Sequence, residues 1–210
     1  MSENHALTVV SRSVSETERI GGLIGTCLQP GMTIALNGTL GAGKTNLVQA
    51  IAESLSIDRK TVVSPTFTMI QLYQGTHALV HIDAYRIADE DEFFELGIAE
   101  YFEDDSIVAI EWAGKFSELL PENRIEIEIQ VLDETSRRLQ FSWSSTAQIA
   151  NEVGQALAAL FPDDLASISK GTPVDRRGGR GKTLSAVITG EKLQKCRFQE
   201  AGISRLRSSI

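Results

Sequence analysis

The chain has 210 residues, 42% of them hydrophobic, and a formal net charge of −8; that is enough apolar material for one sizeable core and too little chain for a multidomain machine. No apolar run approaches the roughly 20 residues of a bilayer span, and the polar N-terminus lacks a signal-peptide pattern, so a cytoplasmic protein with no membrane contact is expected. Residues 1–164 carry 10 Lys and Arg against 25 Asp and Glu, whereas residues 165–210 carry 10 against 3, so the acidic body excludes nucleic-acid binding by a general electrostatic field and leaves at most a local contact.

In chain order, the first predicted element is a helix. Ser15-Glu16-Thr17-Glu18 has capping-box spacing ahead of Ile20, Leu23, Ile24, Cys27 and Leu28, and Pro30-Gly31 stops the run. Met32 to Leu36 then reads as a buried strand, and Asn46 to Leu55 as a helix with Leu47, Val48, Ile51 and Leu55 on one stripe. Between them stands Gly38-Thr39-Leu40-Gly41-Ala42-Gly43-Lys44-Thr45, a G-x-x-x-x-G-K-[ST] phosphate-binding loop in its required strand, loop and helix setting. Its glycines let successive N–H groups turn in on a phosphate chain, and the helix that follows aims its positive end at the same charge. The expected nucleotide contacts are Gly38, Gly41, Ala42, Gly43, Lys44, Thr45 and Asn46, with Lys44 on the β- and γ-phosphates and the Thr45 hydroxyl on Mg2+.

Ser64-Pro65-Thr66-Phe67 follows as a polar turn with a stiff proline; its composition fits an ordinary turn, and also a loop that senses a γ-phosphate. Thr68 to Tyr73 and Ala78 to Asp83 flank Gln74-Gly75-Thr76 as a hairpin. Asp89 caps a short helix over Glu92 to Leu96, stopped by Gly97, and Ile107 to Glu111 is a short, fully apolar strand ending in a carboxylate. Ile125 to Val131 alternates strictly and pairs with Arg138 to Trp143, and a last helix covers about Thr146 to Leu160. Hairpins beside a strand–loop–helix unit predict an α/β domain with a mixed sheet over residues 1–163. Beyond it, Arg176-Arg177-Gly178-Gly179-Arg180-Gly181-Lys182 and low hydrophobicity predict a basic, disordered tail over 164–210. Cys27 and Cys196 stand far apart and suggest plain thiols, with neither a disulfide framework nor a zinc site.

Asp83 and Glu111 each close a strand at the carboxyl edge, where α/β sheets bind ligands. One is suited to hold the metal and the other to orient water; alternatively each only caps a loop or pairs with Arg86 or Lys115. His81, between Val80 and Ile82, reads as a sheet residue, and Trp112 fits either the site wall or the core.

Five segments taken together resemble one family: Gly38 to Thr45, Ser64-Pro65-Thr66-Phe67-Thr68, His81-Ile82-Asp83-Ala84-Tyr85-Arg86, Glu95-Leu96-Gly97-Ile98 and Ile110-Glu111-Trp112. In this order and spacing they are similar to the TsaE (YjeE-like) family, small P-loop ATPases of bacterial tRNA threonylcarbamoyladenosine synthesis that work with TsaB and TsaD. The resemblance implies a P-loop NTPase-like mixed sheet flanked by helices, binding ATP and Mg2+. It implies a weak Mg2+-dependent ATPase, activated in a complex with TsaD and TsaB, that resets the complex by ATP turnover and meets tRNA only through it. By the same resemblance Lys44 holds phosphates, Thr45 and Glu111 serve the metal, and Asp83 supports metal and water. Ser64 to Phe67 becomes a switch-like loop with Thr66 as a catalytic candidate, and Ser15 and Thr17 lie near the nucleotide. Thr39 stands where the family usually has Asp, and Asn46 where it has Thr, neither essential to the cradle. Two other readings share the loop: a small-molecule kinase, for which the body lacks an Arg-rich lid, and a nucleotide-gated binding module.

Overall fold

The apolar runs around the phosphate loop become the centre of a sheet. The computed structural model describes residues 4–144, 152–153, 155–157 and 169–171. Its strands are β1 (Asn4–Ser11), β2 (Thr33–Gly38), β3 (Ile70–Gln74), β4 (Ala78–Asp83), β5 (Ser106–Glu111), β6 (Arg124–Val131), β7 (Arg137–Ser144) and β8 (Ser169–Gly171). They lie in the order β3-β4-β5-β2-β6-β7-β1-β8. The inner pairs β4–β5, β5–β2 and β2–β6 are parallel, and the outer pairs are antiparallel. Every residue of β5 is buried, as a parallel strand covered on both faces requires. In β6 and β7 burial alternates, with Ile125, Ile127, Ile129, Leu139, Phe141 and Trp143 facing inward, because one face of these strands is left to solvent.

Helices α1 (Val14–Cys27) and α2 (Lys44–Ser54) cover one face and share a core with Ile34, Leu36, Ile107 and Phe141. The two helices approach closely: a Cβ on Gly21 would stand 2.7 Å from the Ala50 Cβ, and one on Gly25 2.9 Å from the Ile51 carbonyl oxygen. The short helices α3 (Glu90–Glu95) and α4 (Glu100–Glu103) and the 3₁₀ segment Ala113–Leu119 supply the opposite face. There Phe93, Ile98 and Phe116 pack on Val80, Ile82, Val108 and Ile110.

The mixed sheet, the hairpin and the β6–β7 pairing agree with the sequence reading. Strand β1 was not predicted, although Leu7 and Val9 alternate inward along it. The first helix starts earlier than expected: Ser13, not Ser15, is its cap, its Oγ accepting from the Glu16 N–H at 3.1 Å while the Arg12 N–H donates to Glu16 Oε2 at 2.7 Å. The same spacing occurs two residues upstream, where Glu16 rather than Glu18 turns back on the cap, taking the Arg12 N–H that precedes it. Of the last predicted helix, 152–153 and 155–157 are helical, with Val153 and Leu157 buried in the first core; its remainder lies outside the described residues. In the predicted tail, Ser169–Gly171 pairs with Asn4, His5 and Ala6 of β1, and residues 172–210 lie outside the description.

Candidate nucleotide site

The site forms where three parallel strands end side by side. In register, Leu36 of β2 lies beside Glu111 of β5, and Glu111 beside Asp83 of β4. The phosphate loop leaves β2 at this edge, and α2 starts directly behind it. Gly38 has φ +138°, and a Cβ there would stand 2.4 Å from the Ile129 carbonyl oxygen of β6. Gly43, at φ +106°, caps α2 in the left-handed region, a conformation that glycine adopts at no steric cost. Arg137 braces the loop from the side, its Nε donating to the Ala42 carbonyl at 2.9 Å.

A cavity of about 310 Å3 opens over this edge, lined by Gly41, Gly43, Lys44, Thr45, Asp83 and Glu111 together with Leu40, Ser64, Thr66, Tyr85 and Trp112. Lys44 is 4% exposed. Its Nζ donates to the Gly38 and Thr39 carbonyls at 2.9 and 3.1 Å and stands 3.8 Å from the centre of the Trp112 ring. Burial pushes the Lys44 ammonium below its usual pKa, and the carboxylates of Glu111, Asp83 and Glu128 pull it back up. Burial also raises Glu128, against the attraction of Lys44. Trp112 is held at φ +61°, its ring tilted 48° against that of Tyr85 at 5.0 Å, and both line the cavity.

The two carboxylates are engaged differently. Glu111 Oε1 accepts from Thr45 Oγ1 at 2.7 Å and stands 2.9 Å from His81 Nε2. Asp83 Oδ2 accepts from Thr66 Oγ1 at 2.5 Å and from Ser64 Oγ at 3.2 Å, and its Oδ1 accepts from the Tyr85 N–H at 3.0 Å. Neither acid takes Arg86 or Lys115 as its partner. Arg86 lies over the ring of Phe67 at 4.5 Å. Lys115 Nζ donates to the carbonyls of Ala84, Tyr85 and Ile87, clamping the chain that follows Asp83.

A model of the threonylcarbamoyl adenosine biosynthesis protein TsaE matches residues 11–139. The chain belongs to the TsaE family. A Treponema pallidum protein named tRNA threonylcarbamoyladenosine biosynthesis protein TsaE is 37% identical over 130 residues, covering 62% of this chain and 96% of that one. A Bacillus subtilis protein of the same name is 41% identical over 128 residues, covering 60% and 79%. The crystal structure of Bacillus subtilis YdiB aligns with a TM-score of 0.59 at 28% identity, over 74% of this chain and 97% of that one.

Of the candidates that the TsaE resemblance marks out, Lys44, Thr45, Thr66, Asp83 and Glu111 meet around one cavity. Of the expected nucleotide contacts, Gly38, Ala42 and Asn46 do not line it, and the Asn46 Oδ1 accepts from Arg59 Nη2 at 2.6 Å. Ser15 and Thr17 stand apart from the cavity too: Ser15 is exposed, and the buried Thr17 hydroxyl lies 2.7 Å from Ser11 Oγ. Sequence reasoning read His81 as a sheet residue, and it lies buried in β4; what it did not supply is the partner, Glu111, which stands 30 residues away on the neighbouring strand. Among the described residues no helix is long and apolar enough to cross a membrane.

Proposed function

We propose that this chain binds Mg2+-ATP in the cavity under the phosphate loop and hydrolyses it as the ATPase component of tRNA threonylcarbamoyladenosine synthesis in the cytoplasm. In this reading it binds TsaD and TsaB, and its turnover resets their complex between rounds; tRNA is met only through the partners. The observation that carries the reading is the convergence of Lys44, Thr45, Glu111 and Asp83 on one cavity in a chain of the TsaE family.

The residues fit the group they are to hold. A hydroxyl and two carboxylates are hard oxygen donors of the kind Mg2+ takes. Among the described residues no three His, Cys, Asp or Glu form a closed cage, and Mg2+ at nucleotide sites is usually held by one or two protein oxygens plus phosphates. Thr45 and Glu111 would hold it, with Asp83 supporting metal and water. When bound, the ion neutralises charge that develops on the transferring phosphoryl group. The chain's own part is positioning. Backbone N–H groups of Gly41 to Thr45 and the start of α2 receive phosphate charge, Lys44 adds a cation, and Trp112 and Tyr85 narrow the entry. Thr66, already hydrogen-bonded to Asp83, links the Ser64 to Phe67 loop to the occupant.

The test is ATP hydrolysis by the purified protein alone, then with its TsaB and TsaD counterparts and tRNA, with Lys44→Ala as the control. Stimulation by the partners that Lys44→Ala abolishes is expected. Phosphate appearing on a metabolite, with no response to the partners, would select the kinase reading instead.

A further inference from the structure

His81 is fully buried in the middle of β4, between Val80 and Ile82 of the second core and beside Ala109 of β5. It does not line the cavity. Its Nε2 stands 2.9 Å from Glu111 Oε1, and its Nδ1 is the one buried side-chain nitrogen or oxygen among the described residues with no hydrogen-bond partner. A polar ring placed in an apolar sheet with one of its two nitrogens unmatched is a poor choice for packing alone. An ionised carboxylate only accepts hydrogen bonds, so the contact requires the proton on Nε2.

The same Glu111 oxygen also accepts from Thr45 Oγ1, so one carboxylate oxygen ties together the first turn of α2, β4 and β5. We propose that His81 is a positioning residue: its Nε2–H fixes the Glu111 carboxylate in the orientation that serves Mg2+. The role rests on the function proposed above. Thr45 has a second task there, toward the metal, whereas His81 is walled into the sheet and has none. Its ring therefore holds Glu111 in place whether or not the site is filled. A free glutamate side chain would otherwise have to be ordered at each binding event.

The experiment is the thermal shift of the full chain with ATP, titrated with Mg2+ and repeated in EDTA, for wild type, Glu111→Gln, His81→Leu, His81→Gln and His81→Asn. His81→Leu should raise the Mg2+ concentration for half-maximal shift by about tenfold or more, the usual effect of removing the partner of a metal ligand. Its ATP shift in EDTA should match wild type. His81→Gln, whose amide nitrogen reaches the position of the ring Nε2, should recover most of the loss, and the shorter His81→Asn should not. A folded His81→Leu with wild-type Mg2+ dependence overturns the role. So does His81→Gln behaving no better than His81→Asn, a comparison that decides even where His81→Leu fails to fold. If wild type itself shows no Mg2+ dependence, or Glu111→Gln leaves it unchanged, the metal reading of the site fails first and the role of His81 falls with it.

Discussion

Glu111 and Asp83 stand opposite one another on adjacent strands, are almost equally buried at 3% and 2% exposure, and yet belong to different mechanical regions. Glu111 is tied to Thr45 at the head of α2 and to His81 inside the sheet, groups held by the core. Asp83 is tied to Ser64 and Thr66, which sit on a surface loop whose Phe67 is 82% exposed and touches Arg86. Two like side chains at the same sheet edge thus divide into one anchored inside the core and one anchored by a loop that is partly open to solvent. The first is suited to constant geometry and the second to reporting what occupies the cavity.

Four substitutions would sharpen or break that contrast. Glu111→Gln should lower steady-state phosphate release on the order of a hundredfold and leave the melting temperature near wild type, because the amide oxygen still accepts from Thr45 and His81. A loss of only a few-fold would remove the distinction. Asp83→Asn should cost about tenfold in turnover and also speed proteolysis within residues 64–67, since Asn offers a single, neutral acceptor oxygen where Asp83 serves the Tyr85 N–H with one oxygen and the two loop hydroxyls with the other. Unchanged cleavage would mean that the loop is held by something other than Asp83. Thr66→Val removes one donor at nearly constant volume. It should lower turnover several-fold and the melting temperature by a few degrees at most, in keeping with one lost hydrogen bond worth roughly 1 kcal/mol. The smallest effect belongs to a carboxylate outside both regions. Asp133, in the β6–β7 turn, accepts from the Thr135 and Ser136 N–H groups, which hold its pKa below the ordinary 3.8. A depressed carboxylate stabilises the fold above its unfolded pKa, and that contribution disappears as pH falls through the folded value. Asp133→Asn should therefore melt slightly lower at pH 7 and equal wild type toward pH 2, with turnover unaffected.

The phosphate loop was legible in the sequence because its glycines and its strand and helix context are local features. The two acids were legible because each ends an apolar run, and parallel strands with apolar interiors place their ends at one edge. What escaped depends on pairs distant in sequence. The bond from His81 to Glu111 needs the β4–β5 register, and the brace from Arg137 to Ala42 needs β7 folded back beside β6. Strand β1 was missed because apolar Ala6 and Val10 share the half-exposed side with Thr8 and blur the short alternation of Leu7 and Val9. The left-handed backbone of Trp112 was also invisible, since neither tryptophan nor its neighbours favour it.

Lys44 shares its charge with the Gly38 and Thr39 carbonyls and the Trp112 ring. An arriving phosphate chain therefore competes with internal partners for this cation. A departing one leaves no stranded ammonium, because carbonyls and indole are ready to take it back. Internal partners that compete in this way favour dissociation over affinity, which would suit the repeated turnover proposed above.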